Sequence, residues 1–186
     1  MLRITVPARE FFDEERQEFV EVKEHTLTME HSLISISKWE AKWKKPYFQN
    51  DKEHPRTVEE TIDYLRCMTI TPSNVDSIVY RAMTKENIEA ISDYINDSMT
   101  ATTITRNVTS SHARKQVVTS ELIYYWMIAQ NVPTEYEKWH INRLLTLIEV
   151  CSIKNDPKPK KMNRAAIARQ NKALNAARRA KYGTKG

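Results

Sequence analysis

The chain has 186 residues, 40% of them apolar and 28% charged, enough for one domain with or without an appendage. Its net charge of +5 is unevenly spread: residues 157–186 hold ten Lys or Arg and no Asp or Glu, so residues 1–156 carry a net charge of about −5. Both glycines, Gly183 and Gly186, lie in that basic stretch, which excludes Gly-rich phosphate loops and argues against folds built on tight glycine turns.

Leu2, Ile4 and Val6 alternate with polar residues, and Pro7 closes the run. Alternation returns over Phe19–Lys23 and Thr26–Met29, with the charged Asp13–Arg16 between. This predicts a small antiparallel sheet, an N-terminal β-hairpin over about 1–30. From Ser32 the spacing changes: Leu33, Ile36, Trp39 and Trp43 mark an amphipathic helix that stops before Pro46. Lys38, Lys42, Lys44 and Lys45 interleave with Trp39, Trp43, Tyr47 and Phe48, a pattern able to stack bases. The two tryptophans, four apart, fit a buried stripe with lysines reaching outward better.

A polar loop, 49–56, leads to Thr57-Val-Glu-Glu60, which matches a capping box. The helix it opens is expected to bury Val58, Ile62, Leu65 and Met68 and to end before Pro72. Asn74–Met83 reads as a short helix or turn. Thr84 caps the next helix, with Ile88, Ile91 and Ile95 on one face. Ala101–Thr105 is strand-like, and Asn107–Lys115 reads as a mobile loop.

From Ser120, ELIYYWMIAQ is apolar nearly all round, so its helix is buried on most sides or awaits a partner. After Pro133, Thr134-Glu-Tyr-Glu137 resembles a second capping box, and the helix beyond it carries Trp139, Leu144, Leu147, Ile148 and Cys151. The short link 131–133 predicts an antiparallel pair at the heart of the core, with Tyr125, Trp126, Leu144, Leu147 and Ile148 buried together. Pro157 and Pro159 mark a hinge, and Asn163 can cap a last helix reaching about Lys181, rich in alanine. The fold class is α+β, mainly α: a single helical domain, 1–154, with a small N-terminal antiparallel sheet, a hinge at 155–162 and a basic, Ala-rich helical tail at 163–186.

Chemistry is sparse. His25, His31, His54, His112 and His140 lack metal-ligand spacing. Cys67 and Cys151 read as reduced core thiols, and a Cys/His nucleophile using His140 lacks support. His140 reads as a partly buried hydrogen-bonding side chain. Asp13/Glu14 and Glu59/Glu60 suit a turn and a helix start, while Glu30 and Glu121 suit internal pairing. No catalytic, cofactor or metal residue is assigned, and an enzyme is not expected. No apolar leader core or membrane-length run is present, so a cytosolic chain is expected.

The candidate binding residues lie in the tail: Lys158, Lys160, Lys161, Arg164, Ile167, Arg169, Leu174, Arg178, Arg179 and Lys181. Their cations could hold phosphates. Alternatively Ile167, Leu174 and the alanine face could dock on another helix, or the tail could simply be solvated. Tyr182, its lone aromatic residue, does not favour base readout.

The segments SLISISKWEAKWKKP (32–46), ETIDYLRCMTI (60–70), TSELIYYWMIAQNVP (119–133), EKWHINRLLTLIEVCSIKN (137–155) and ARRAKYGTKG (177–186) resemble small proteins encoded in the structural-gene region of tailed bacteriophages, among them tail assembly chaperones. The resemblance spans most of the chain. It implies a protein of the host bacterial cytoplasm that binds the phage tape measure protein, keeps its long helices soluble and helps recruit tail tube protein. Such proteins are often made in two lengths by ribosomal frameshifting. No short signature defines them, so the resemblance assigns no residue a role. The alternative is a phage virion structural or accessory protein whose basic arm binds nucleic acid.

Overall fold

In the computed structural model, the residues described are 1–13, 17–49, 54–104, 117–155 and, in the tail, 168, 169, 171–173, 175 and 179. The N-terminal strands are β1 (Leu2–Val6), β2 (Arg9–Asp13), β3 (Glu18–Val22) and β4 (His25–Met29). β1 lies antiparallel to β4, with Leu2 opposite Met29 and Val6 opposite His25. β2 and β3 form a separate antiparallel ribbon inserted between them. The simple hairpin expected over 1–30 is thus a hairpin within a hairpin. β2 escaped a period-two reading because both ribbon faces carry aromatic or aliphatic side chains. Phe11 lies opposite Val20, both partly buried, while Phe12 and Phe19 meet edge to face at 5.3 Å on the exposed side.

Helix α1 (Leu33–Trp43) starts at a reciprocal cap: the Ser32 hydroxyl accepts from the Ser35 amide, and the Ser35 hydroxyl accepts from the Ser32 amide. It stops at Lys44, in left-handed geometry with φ 56°. Helix α2 (Val58–Met68) opens on the expected box, the Thr57 amide donating to Glu60 at 2.8 Å and the Glu60 amide to Thr57 at 3.2 Å. The chain then runs directly into β5 (Thr69–Thr71), which pairs with β4 and completes the order β1-β4-β5. Asp76 caps α3 (Ser77–Arg81), and Thr84 caps α4 (Lys85–Asn96) through a box with Asn87. Helix α5 (Ser120–Ala129) is capped by Thr119, and α6 runs over Ile141–Asn155.

The core gathers the inner face of the β1-β4-β5 sheet, α1 and α2, with Leu27, Met29, Leu33, Trp39, Met68 and Leu144 fully buried. Several expectations need correction. Leu144 and Ile148 are buried and Leu147 and Trp126 partly so, but Tyr125 is exposed. Helix α5 packs on α1, because the buried Glu40 of α1 ties them together. Its carboxylate accepts from the Ser120 amide at 2.7 Å and the Tyr47 amide at 2.6 Å, placing negative charge at the α5 N-terminus. Val58 and Ile88 are exposed; of the apolar residues expected inside on these two helices, Leu65, Met68 and Ile91 are buried and Ile62 and Ile95 half-buried, because the inward faces are completed by Glu60, Asp63 and Tyr64 of α2 and Tyr94 of α4.

The second capping box does not form. Thr134–Lys138 is a 3₁₀ turn without a side-chain cap, and α6 begins only at Ile141. Between them His140 pairs with Ser32 as an isolated bridge, and the Ile141 amide donates to the His31 carbonyl at 2.7 Å. This tertiary pairing holds the backbone extended where local signals favoured a helix. Residues 101–104 form no strand, since no described strand pairs with them; Thr105 and the loop Asn107–Lys115 lie outside the described residues.

The chain separates into two compact units, Met1–Cys151 and Ser152–Gly186. Of the expected hinge at 155–162, only Asn155, the last residue of α6, is described.

Candidate functional site

Of the ten candidate tail residues, Arg169 and Arg179 are described, both helical and exposed. Lys158, Lys160, Lys161, Arg164, Ile167, Leu174, Arg178 and Lys181 lie outside the described residues. The body carries three features of its own.

The first is the outer face of α5. Ile123 and Met127, one turn apart, point inward and are buried. Tyr125 and Ile128, three apart, point outward and are 63% and 73% exposed. Leu122 and Trp126 flank them half-buried. An all-round apolar helix therefore covers the core with one face and offers the other to solvent. Beside it the Tyr124 hydroxyl donates to Glu137 at 2.9 Å; burial and that carboxylate push its pKa up to about 12.

The second is a buried polar chain at the start of α1. Tyr94 donates to Glu30 at 2.6 Å. His140 donates from Nε2 to the Tyr94 carbonyl at 2.9 Å and accepts the Asn142 amide on Nδ1, which fixes one neutral tautomer. The His31 ring lies 5.1 Å from that of His140, and its Nδ1 hydrogen-bonds the Tyr64 hydroxyl. Burial, with help from His140 and Arg56, pushes the His31 pKa down to about 3, and burial also lowers that of His140. His140 forms hydrogen bonds as expected, but it is buried and not partly so. The parts of His31, Tyr64 and Tyr94 went unread; the signal was the polar triplet Glu30-His31-Ser32 between two apolar runs.

The third is a cleft of about 920 Å³ along α1, α2, β5 and residues 73–75. Lys38 and Lys42 of α1, Arg66 of α2 and Lys138 of the 3₁₀ turn bring four cations to it. Its two carboxylates are already engaged. Asp63 accepts from Lys42 at 2.5 Å and from the Trp43 indole at 2.9 Å, with Arg66 at 3.6 Å. Glu30 holds the Tyr94 hydroxyl and the terminal amine at 3.0 Å. Cys67 also faces the cleft, and burial followed by Asp63 raises its thiol pKa, which keeps it protonated near neutral pH. The Ser32 and Ser35 hydroxyls are committed to the α1 cap. Among the described residues no group of three or more His, Cys, Asp or Glu side chains converges to hold a metal ion. The arrangement is suited to holding an anion.

No protein-family model, curated protein or solved structure matches this chain. Among the described residues, no helix is long and apolar enough to cross a membrane.

Proposed function

We propose that the chain is a non-enzymatic assembly factor of a tailed bacteriophage, a tail assembly chaperone that works in the host cytoplasm, binds the tape measure protein and aids tail tube assembly. The observation that carries this reading is the outward face of α5, where Tyr125 and Ile128 form an apolar strip open to solvent. A helix-holding chaperone needs such a strip, because an amphipathic helix buries its own apolar face against it. The segment that forms it, TSELIYYWMIAQNVP, is among those that resemble the phage proteins.

Co-expression with a long helical segment of a tape measure protein tests this. The wild-type chain should keep the segment soluble. Tyr125→Glu with Ile128→Glu should leave it in the pellet while retaining the helical circular-dichroism spectrum, since both side chains already face water. Full activity of the double variant would remove α5 from the reading.

The exposed helical cations Arg169, Lys172 and Arg179 favour a second reading, an accessory virion protein whose tail binds nucleic acid. A chain ending at Asn155 should keep its melting temperature within about 3 °C, because the body is a compact unit by itself. Under the chaperone reading it loses affinity for the tape measure protein. Under the second, the full-length chain binds generic DNA with an affinity falling on the order of a thousandfold between about 50 and 200 mM salt.

A further inference from the structure

We propose that the cleft along α1 and α2 is a second binding site, which takes an acidic peptide segment bearing aliphatic side chains. The lining residues on this side run from Ser32, the cap of α1, to Lys42. Ten helical steps at about 1.5 Å cover about 15 Å, the length of four or five extended residues at about 3.3 Å each. This is a groove for a short stretch of chain. Its volume of about 920 Å³ is far larger than an inorganic anion needs.

Charge selects the occupant. Of the cleft's four side-chain cations, Lys42 and Arg66 pair with Asp63, and Glu30 is held by the terminal amine and Tyr94, which leaves Lys38 and Lys138 to face an occupant. Neither Lys38 nor Lys138 forms an ion pair with any described carboxylate, and both are exposed. A positive groove is thus cut into a body whose overall charge is negative, so an acidic segment is steered to this place rather than to the surrounding surface. The exposed Ile70 and the half-buried Ile34 and Val75 add aliphatic contacts between the cations.

The same features disfavour a nucleic acid. No aromatic ring stands among the described residues lining the cleft, so bases find no stacking platform. A phosphate backbone continuing beyond the groove would run over a net negative body. The site is separate from the α5 face, and its test leaves the chaperone reading intact whichever way it falls.

The test uses the full-length chain and a fluorescein-labelled hexapeptide of four glutamates and two leucines, read by fluorescence anisotropy. Saturable binding should weaken at least tenfold in the variant Lys38→Glu with Lys138→Glu, whose exposed side chains make no ion pair the fold depends on. Replacing the two leucines by serine should weaken binding to the wild-type chain severalfold. Unchanged binding to the double variant would place the peptide elsewhere, on the basic tail for example, and overturn the proposal. So would a single-stranded oligonucleotide that binds more tightly than the peptide and depends on the same two lysines.

Discussion

Replacing Trp39 with alanine is expected to destabilise the protein by about 3–5 kcal/mol, the range for truncating a fully buried tryptophan. Trp39 is 1% exposed at the centre of α1. Its indole donates to the Glu60 carbonyl at 2.8 Å, which locks α1 to the first turn of α2. The rings of Tyr47 and Tyr64 meet it edge-on at 5.7 and 6.4 Å, and the Arg56 guanidinium lies 5.2 Å from its centroid. Truncation would open a cavity that three surrounding segments cannot close together. Trp39→Phe keeps most of the ring volume and loses the N–H, so the hydrogen bond alone should account for about 1 kcal/mol. Urea unfolding followed by far-UV circular dichroism measures both. A loss under about 1 kcal/mol for alanine would mean that α1 does not pack as described.

Acid should weaken the fold through His31. Its imidazole takes a proton near pH 6.5 when unfolded, but only near pH 3 when buried between Tyr64 and His140. The unfolded state therefore binds more protons across that window. Stability is intact above pH 6.5 and falls as pH drops, by up to about 1.4 kcal/mol per unit. By pH 3 the contribution lost is on the order of 4 kcal/mol, and His140, lowered in the same direction by burial, adds to it. The groups packed round the pair include Tyr64, Tyr94, Glu30 and Arg56; the two hydroxyls stay protonated throughout, because burial raises both. His31→Gln removes the titrating ring. Its unfolding free energy should depend on pH less steeply than that of the wild type between pH 6 and 4, by close to one proton. Carboxylates titrate in both chains and cancel in the difference. Equal slopes would mean that His31 charges freely in the folded protein.

The mainly helical α+β class was legible because it rests on local chemistry. Thr57 and Thr84 are followed three residues later by side chains that reach back, and both boxes form. The stripe Leu33, Ile36, Trp39 is buried as its spacing demands. What misled was tertiary. Thr134 has the right neighbours for a cap, but the pairing of His140 with Ser32 holds the chain extended. Tyr125 sits in the most apolar helix yet faces water, because one α5 face suffices to cover α1. Glu40 of α1 accepts the Ser120 amide at the start of α5, a contact eighty residues apart that no local pattern announces. The cleft was illegible for a related reason. Lys38, Arg66 and Lys138 belong to distant segments, which come side by side only through tertiary contacts such as the α1–α2 packing and the bridge at His140. The tail was conspicuous by charge alone, a signal that names cations without arranging them.

The absence of glycine before residue 183 has a consequence for the unfolded chain. Gln17, Lys44, Asn74, Met99 and Asn131 all adopt φ between 52° and 61°, where glycine would rest without strain. Each such turn costs about 1–2 kcal/mol when a Cβ is present, less for the two asparagines. Yet a glycine-free chain samples fewer backbone states before it folds, so it has less disorder to lose at every turn. Placing glycine at Lys44 would relieve the local strain and widen the unfolded ensemble at the same stroke. The two effects oppose each other, and the left-handed turns of this body are held in part by the stiffness of the chain that must enter them.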